Sequence, residues 1–449
     1  MNIVRKKEAM VLFLGDIFVL FISLYLTLTL RYGSIPTQEV IFDHIVPFFI
    51  LFILSILISF IAGMYEKHTL VLKSKLPKIL IQVQIINAIV SISFFYFIPY
   101  FIITPKITLF MYLIISLILM TAWRMAIMQT FGTRGKYKAL LIAEGSEAKE
   151  LYNEINKNQR YGTSFVKWID TSLSSIQGGD IFTLIKSEKI SFIVADFSNN
   201  KIKEIMPVLY GLIFSGVQFA DTQKIYEEIF DRVPLSLVND VWFLENISSS
   251  MKTFFDLFKR ITDIFISGIL AVLSLFLYPF VYFAIKFDDG GSLFIIQERV
   301  GKNDKIIKIR KFRTMMTNDN GNYKNAFLGE NRVTRVGKFL RKSRIDELPQ
   351  LWNVFSGDIA LIGPRPELPN LVKIYEKNIS YYNMRHIIKP GLSGWAQIYH
   401  ENHPHHEEAV VQTKEKLSYD FYYIKNRSIL LDLKIILKTL KVLLSFVGR

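Results

Sequence analysis

"KRITDIFISGILAVLSLFLYPFVYFAIK", residues 259–286, is the stretch on which the fold turns. Its 25 central residues could cross a hydrocarbon core of about 30 Å, so length alone does not say whether the chain crosses. The flanks are more informative. Lys252, Lys259 and Arg260 precede it, and Lys286 with "RVGKNDKIIKIRK" (299–311) follows. Basic flanks mark the cytoplasmic side, so both ends fall on one face. Pro279 lies inside the segment, where it lacks an N–H and clashes with the preceding turn, costing ~3 kcal/mol in a straight helix. The expectation is a re-entrant helix over 260–286 that breaks near Pro279 and returns to the face it left. A kinked spanning helix is the alternative.

Working outward, four more apolar segments occupy about 10–30, 45–64, 80–103 and 107–127. The loop "RYGSIPTQEVIFD" is poor in Lys and Arg, whereas "VRKK", "YEKHTLVLKSKLPK" and "TRGKYK" are basic. By the positive-inside rule this predicts a four-helix transmembrane domain over 1–130 with both ends cytoplasmic. Its third and fourth helices meet around Thr104-Pro105-Lys106. Met10–Leu30 lacks a small-residue cleavage signal and reads as a retained anchor. The whole chain agrees with a membrane protein: 51% of 449 residues are hydrophobic, with a mean hydropathy of +0.29. Lys and Arg number 54 against 39 acids, a net charge of +15 that suits anionic lipid or phosphorylated substrates. Nucleic acid is disfavoured as a partner, because the positives are scattered and no recognition motif is present. Cysteine is absent, which excludes disulfides, thiolate metal sites and cysteine nucleophiles.

Between 137 and 247 short apolar runs, "YKALLIA" and "ISFIVADF", alternate with amphipathic stretches such as "EAKELYNEINK". That pattern predicts a parallel α/β sheet. "IAEGSEAKE" stands where a dinucleotide fold carries its glycines, yet only Gly145 remains. A degenerate Rossmann-like domain with a structural or regulatory role is expected, ahead of cofactor binding.

Polar motifs crowd together after residue 290: "QERVGK", "KFRTM", "RKSRIDELPQL", "GPRPE", "KPGLSGWAQ" and "YDFYYIKN". Glycines let backbone approach a ligand, and arginine grips phosphate with a bidentate fork. No Walker loop, nucleophile elbow or zinc-protease motif is present. The carboxylate pair Asp346-Glu347 among arginines fits a metal-assisted reaction at phosphate. Taken alone, such a pair could merely offset a helix dipole, and Pro349 is typical of a first turn.

From about 255 to 445 these motifs, with "KRITD" and "YDFYYIKNRSILLDLKI", resemble the bacterial sugar transferases, a monotopic phosphoglycosyl transferase family, in the family's order. The resemblance implies a mainly α catalytic domain over 252–449, after the four helices and the Rossmann-like domain. It further implies transfer of a sugar-1-phosphate from a nucleotide sugar, usually UDP-linked, to undecaprenyl phosphate, starting O-antigen, capsule or exopolysaccharide synthesis. By likeness, Asp346 attacks the β-phosphate and holds Mg²⁺, UMP leaves, and Glu347 assists attack by the lipid phosphate. Adjacent side chains on a helix diverge by about 100°, so the two acids can face different substrates. Arg365 matches the family's phosphate-binding arginine, with Arg341 and Arg313 as further candidates; each could instead be an ordinary ion-pair arginine. The implied setting is the bacterial inner membrane, with lipids as partners and both soluble domains on the cytoplasmic face. A homodimer is left open.

Three positions depart from the family's pattern. Tyr278 stands where Ser usually precedes the membrane proline, so the break's hydrogen bonding turns to Ser274 or another group. Tyr399-His400 replaces a polar or glycine ending and bears on sugar preference. Arg427 replaces a common Trp. "HENHPHHEE" (400–408) tempts a zinc assignment, but the spacing matches no standard site and Pro404 marks a solvated loop. "SILLDLKIILKTLKVLLSF" reads as an amphipathic helix on an anionic membrane face, or one packed on other helices.

Overall fold

The computed structural model describes residues 6–62, 64–65, 76–97, 106–132, 137–158, 161, 163–172, 178–247, 253–316, 333–399 and 410–444. The turn at 104–105, most of the two basic loops at 66–75 and 133–136, and "HENHPHHEE" lie outside these residues. Two compact units emerge, Met1–Ile229 and Phe230–Arg449.

In the first unit four helices come first: α1 (Lys6–Tyr32), α2 (Gln38–Ile61), α3 (Leu76–Phe97) and α4 (Lys106–Gly132). Three are long and apolar enough to cross a membrane, over Met10–Tyr32, Gln38–Ile61 and Ile107–Ile127. The apolar part of α3, Leu80–Tyr96, is shorter. Leu20, Leu24 and Leu28 form one stripe of α1 at helical spacing, packed on Phe48 and Phe52 of α2 and Tyr112 of α4. Gly15 permits close approach, since a Cβ there would lie 1.9 Å from the Trp123 ring. Next to it Asp16 pairs with Arg124, and both are buried.

A parallel sheet follows. Its strands β1 (Tyr137–Ile142), β2 (Thr163–Ile169), β3 (Phe192–Ala195) and β4 (Gln218–Asp221) lie in the order β2-β1-β3-β4. Helices α5 (Ser146–Lys157), α6 (Gly178–Glu188), α7 (Asn200–Ile213) and α8 (Thr222–Phe230) alternate with them. Every residue of β3 is buried, as expected of a parallel strand covered on both faces. Gly145, with φ 95°, precedes α5. The acids at the strand ends are engaged in turns: Asp196 accepts from the Ser198 amide and Asp221 from that of Gln223.

The second unit opens with α9 (Asp240–Asn246). Its Trp242 and Phe243 pack on Phe421, so residues 233–247 build the core of this unit rather than the sheet before it. Helices α10 (Thr253–Leu275) and α11 (Tyr278–Asp288) are bent by 53° at a short break. Pro279 falls in the first turn of α11, where its missing N–H leaves no gap in the helix. The bend therefore sits at Phe276–Leu277. There the Leu277 amide donates to Ser274 O at 2.9 Å, and the Ser274 hydroxyl to Ala271 O at 2.7 Å. Tyr278 packs its ring edge-on against Phe312, at 4.9 Å between centroids.

Both ends of this broken pair are fastened to the same unit. Lys259 binds Asp432 at 2.6 Å, and Arg260 donates to the terminal carbonyls Val354 O and Phe355 O at 2.8 and 2.9 Å. On the far side Val281 and Ile285 pack with Phe312 and Leu340. Phe265, Val272, Leu273, Phe276 and Phe280 stay exposed between them. An exposed apolar surface of that extent marks a site of membrane or protein contact.

The rest of the unit is β5 (Phe294–Val300) and β6 (Ile306–Phe312), an antiparallel hairpin, then α12 (Arg335–Lys342), α13 (Gln350–Ser356), β7 (Ala360–Ile362), α14 (Pro369–Asn378), β8 (Gly391–Ser393), α15 (Trp395–Tyr399), α16 (Val410–Asn426) and α17 (Ile429–Leu444). Asn353 ties α13 to β6: its side chain donates to Lys308 O at 2.8 Å and accepts from the Arg310 amide at 3.0 Å. Arg427 pairs with Asp256 at 2.8 Å. Lys438 of α17 donates to the Tyr399 hydroxyl, so α17 is packed on its neighbours along this face.

Candidate active site

The acid pair stands in a 3₁₀ turn, Ile345–Glu347, between α12 and α13. Arg344 enters the turn with φ 58°, a conformation uncommon outside glycine and asparagine. In a 3₁₀ turn adjacent side chains diverge by about 120°, somewhat more than on an α-helix. The two acids accordingly meet different surroundings.

Glu347 is ringed by cations. Its Oε1 lies 3.0 Å from Arg365 Nη2, 3.5 Å from Lys311 Nζ and 3.7 Å from Arg344 Nη1. Burial pushes its carboxyl up, but the charges of Arg365, Lys311 and Arg344 outweigh this and hold it well below the usual carboxylate range. Asp346 is buried too, and its Oδ1 has no hydrogen-bond partner among the described residues. Burial, then the neighbouring Glu347 charge, pushes Asp346 up to about 6, against the pull of Lys311, Arg341 and Arg344. Such a carboxylate is ionised at neutral pH yet poorly solvated, a state suited to nucleophilic attack.

Arg365 is presented by a loop that leaves little slack. Prolines flank it, and each carbonyl from Pro364 to Glu367 accepts a hydrogen bond, from the Gly391 amide, Arg385, Arg299 and the Val300 amide. Arg341 donates to the Thr314 hydroxyl at 3.0 Å and feels the charge of Asp346. Thus Asp346, Glu347, Arg365 and Arg341 come together. Arg313 is drawn elsewhere, into a buried pair with Asp289 against Gly291.

Two cations here escaped the sequence reading. Lys311 is pushed down to about 8 by burial, despite the nearby Glu347. Arg299, pushed down to about 10 by burial, donates to Gln297 and to Pro366 O. The signal was strand phase. Arg299 faces Ile307 across the hairpin, and Lys311 shares a strand face with Ile307 and the buried Ile309. A lysine in phase with the buried Ile309 and the partly buried Ile307 points inward.

For a metal, the unpartnered and buried Asp346 oxygen is a hard donor of the kind Mg²⁺ takes, so Asp346 is the residue that would hold it. Elsewhere Asp304, Glu376 and His386 bring ligand atoms within 4.8 Å of one another. There the His386 Nδ1 is engaged with Asp304 at 2.6 Å.

Residues 254–446 match the bacterial sugar transferase family. The chain is 45% identical over 165 residues to a UDP-N-acetylgalactosamine-undecaprenyl-phosphate N-acetylgalactosaminephosphotransferase of Aeromonas hydrophila, covering 36% of this chain and 38% of that protein. It is 39% identical over 184 residues to a UDP-glucose:undecaprenyl-phosphate glucose-1-phosphate transferase of Klebsiella pneumoniae, covering 40% of this chain and 39% of that one. These matches span well under half of either relative. An exopolysaccharide production protein of Rhizobium leguminosarum bv. phaseoli is 38% identical over 187 residues, 40% of this chain and 92% of its own length. The family match over 254–446 encloses the acid pair and the hairpin cations, and on it and the Rhizobium relative the chain belongs to the bacterial sugar transferase family.

Proposed function

We propose that this protein transfers a sugar-1-phosphate from a UDP-linked sugar to undecaprenyl phosphate, through a covalent phospho-sugar on Asp346. The observation that carries the reading is the opposite surroundings of two adjacent acids: Asp346 is buried with an unpartnered oxygen and raised to about 6, while Glu347 is ringed by cations. The substrates are those in the names of the Aeromonas and Klebsiella relatives.

In the first step an Asp346 oxygen attacks the β-phosphorus. The bond from that phosphorus to the bridging oxygen breaks, and UMP leaves with the electron pair. In the second, an oxygen of the lipid phosphate attacks the same phosphorus, and the bond to Asp346 breaks to restore the carboxylate. Both nucleophiles are anions at neutral pH, so neither step requires a base. Glu347, held well below the ordinary range, therefore assists the second step by orientation: it keeps Arg365, Lys311 and Arg344 gathered where phosphate charge arrives. Asp346 would hold Mg²⁺, which when bound offsets the charge of the diphosphate.

The proposed setting is the cytoplasmic face of the bacterial inner membrane, at the start of O-antigen, capsule or exopolysaccharide synthesis. Residues 1–130 form a four-helix membrane domain and the β2-β1-β3-β4 sheet a Rossmann-like domain. The catalytic domain takes α9 as well as 252–449. The α10–α11 pair is read as re-entrant. The anchoring of Lys259 on Asp432 and of Ile285 against Phe312 and Leu340, all in the unit Phe230–Arg449, supports this, because a spanning pair would put a hydrocarbon layer of about 30 Å between its two anchors. Purified protein given Mg²⁺, undecaprenyl phosphate and a panel of UDP-sugars should release UMP with at least one of them. A folded protein that releases none with any sugar contradicts the proposal.

A further inference from the structure

The loop that carries Arg365 is gripped in an unusual way. Pro364 and Pro366 have no N–H to offer, so the loop is pinned through its carbonyls. Backbone amides hold the outer two, with Gly391 N on Pro364 O and Val300 N on Glu367 O, both at 2.9 Å. Buried guanidiniums hold the inner two: Arg385 donates to Arg365 O at 3.0 Å and Arg299 to Pro366 O at 3.4 Å.

Arg385 is itself locked. It lies in the 3₁₀ turn Tyr382–Ile387, donates to the Tyr382 hydroxyl at 2.7 Å and pairs with Asp420 of α16 at 2.7 Å. The side chains of Arg385 and Asp420 are each only 2% exposed. One turn earlier on α16, Lys416 pairs with Glu367, so the helix grips the loop at two successive rungs. A buried Arg–Asp pair is a poor source of stability compared with apolar residues of similar volume. Its geometry accounts for it better: the same guanidinium that meets Asp420 fixes the backbone from which Arg365 reaches Glu347.

We infer that Arg385, braced by Asp420 and Tyr382, is the positioning residue that aims Arg365 at the acid pair. This rests on the reading of Arg365 as a phosphate-binding group. Lysine at position 385 keeps the charge opposite Asp420 but loses the planar fork that serves Tyr382, Asp420 and Arg365 O together.

The test is a double-mutant cycle on UMP release, using full-length protein carrying Arg385→Lys, Arg365→Lys or both. Arg385→Lys should lower kcat/KM roughly 10- to 100-fold, the scale of a reacting group displaced by about 1 Å. Most of that loss should vanish in the Arg365→Lys background, because the residue acts through Arg365. Hydrogen exchange of the Gly363, Gly391 and Val300 amides, which donate to Ser393 O, Pro364 O and Glu367 O, should also quicken in Arg385→Lys. A wild-type rate, or the same fold-loss in both backgrounds, overturns the inference. If Arg385→Lys does not fold, Tyr382→Phe takes its place in the cycle, with a smaller loss of the same non-additive kind expected and an additive loss overturning it. If the wild type releases no UMP from any UDP-sugar, the proposed function fails. Amide exchange of the loop then decides the positioning role by itself: unchanged protection overturns it, faster exchange supports it.

Discussion

At the scale of the residue, the site runs on charges held away from their ordinary values. Asp346 must be ionised to attack, and burial pushes it up to about 6. Lys311 must be protonated to meet phosphate, and burial pushes it down to about 8. The signs follow: UMP release is gained as pH rises through about 6 and lost as pH rises through about 8, giving a bell-shaped kcat/KM. Lys311→Met should lower the rate and remove the falling limb. A profile for the wild type that stays flat from about pH 5 to 9 would refute this assignment. Asp346, Glu347 and Arg365 were legible because they stand in short motifs of acid, proline and arginine. Lys311 was not, because as a string "KFRTM" offers its arginine as the phosphate-binding residue and gives the lysine no distinguishing mark. Only the alternation of β6, with Ile307 and Ile309 on the same face, reveals which basic residue turns inward. Arg313 failed to join the acids because Asp289, on the loop after α11, takes it first.

At the scale of the element, the proposal that the chemistry stays on one side of the membrane rests on the α10–α11 pair. Pro279 and the basic flanks told of a break, and a 53° bend is present. Its position could be read only to within a turn. A proline ends hydrogen bonding just before itself and is tolerated in the next helix's first turn, so the break falls at Phe276–Leu277. What hydropathy could not say is that Lys259 and Arg260 are bound to α17 and α13; ion pairs between distant elements leave no periodic trace. The chain has no cysteine, so single cysteines near 255 and 300 can be probed in intact cells with an impermeant thiol reagent. Neither site should be labelled from the periplasm without permeabilisation. Labelling of the 300 site alone would make α10–α11 a spanning pair.

At the scale of the molecule, alternating strands and helices announced the parallel sheet, but nothing in the sequence marks where the following core begins. Residues 233–247 follow α8, the last helix of the sheet domain, and no periodic pattern in them assigns them to either neighbour. Trp242 and Phe243 settle the matter by packing on Phe421. A fragment starting near residue 250 therefore lacks two core aromatics, each worth about 3–5 kcal/mol when a buried ring is deleted. In lipid, a fragment starting near 230 should melt clearly above one starting near 250 and release UMP faster. Equal melting and equal rates would mean that α9 is dispensable to the core.

The central claim is that one carboxylate of the pair, Asp346, becomes covalently linked to the sugar phosphate. Intact-mass analysis after rapid mixing with Mg²⁺ and the accepted UDP-sugar, in the absence of lipid, tests it most directly. Glu347→Gln should gain the mass of one sugar phosphate with a burst of UMP near one per enzyme, and the adduct should persist when undecaprenyl phosphate is added. Asp346→Asn should gain no mass and release no UMP, because an amide is a poor nucleophile. Its melting temperature at pH 7 should be no lower than that of the wild type, since the folded pKa of Asp346 lies above the unfolded value and its charge opposes folding above about pH 6. A folded Asp346→Asn protein that still carries the adduct would place the nucleophile elsewhere and contradict the account.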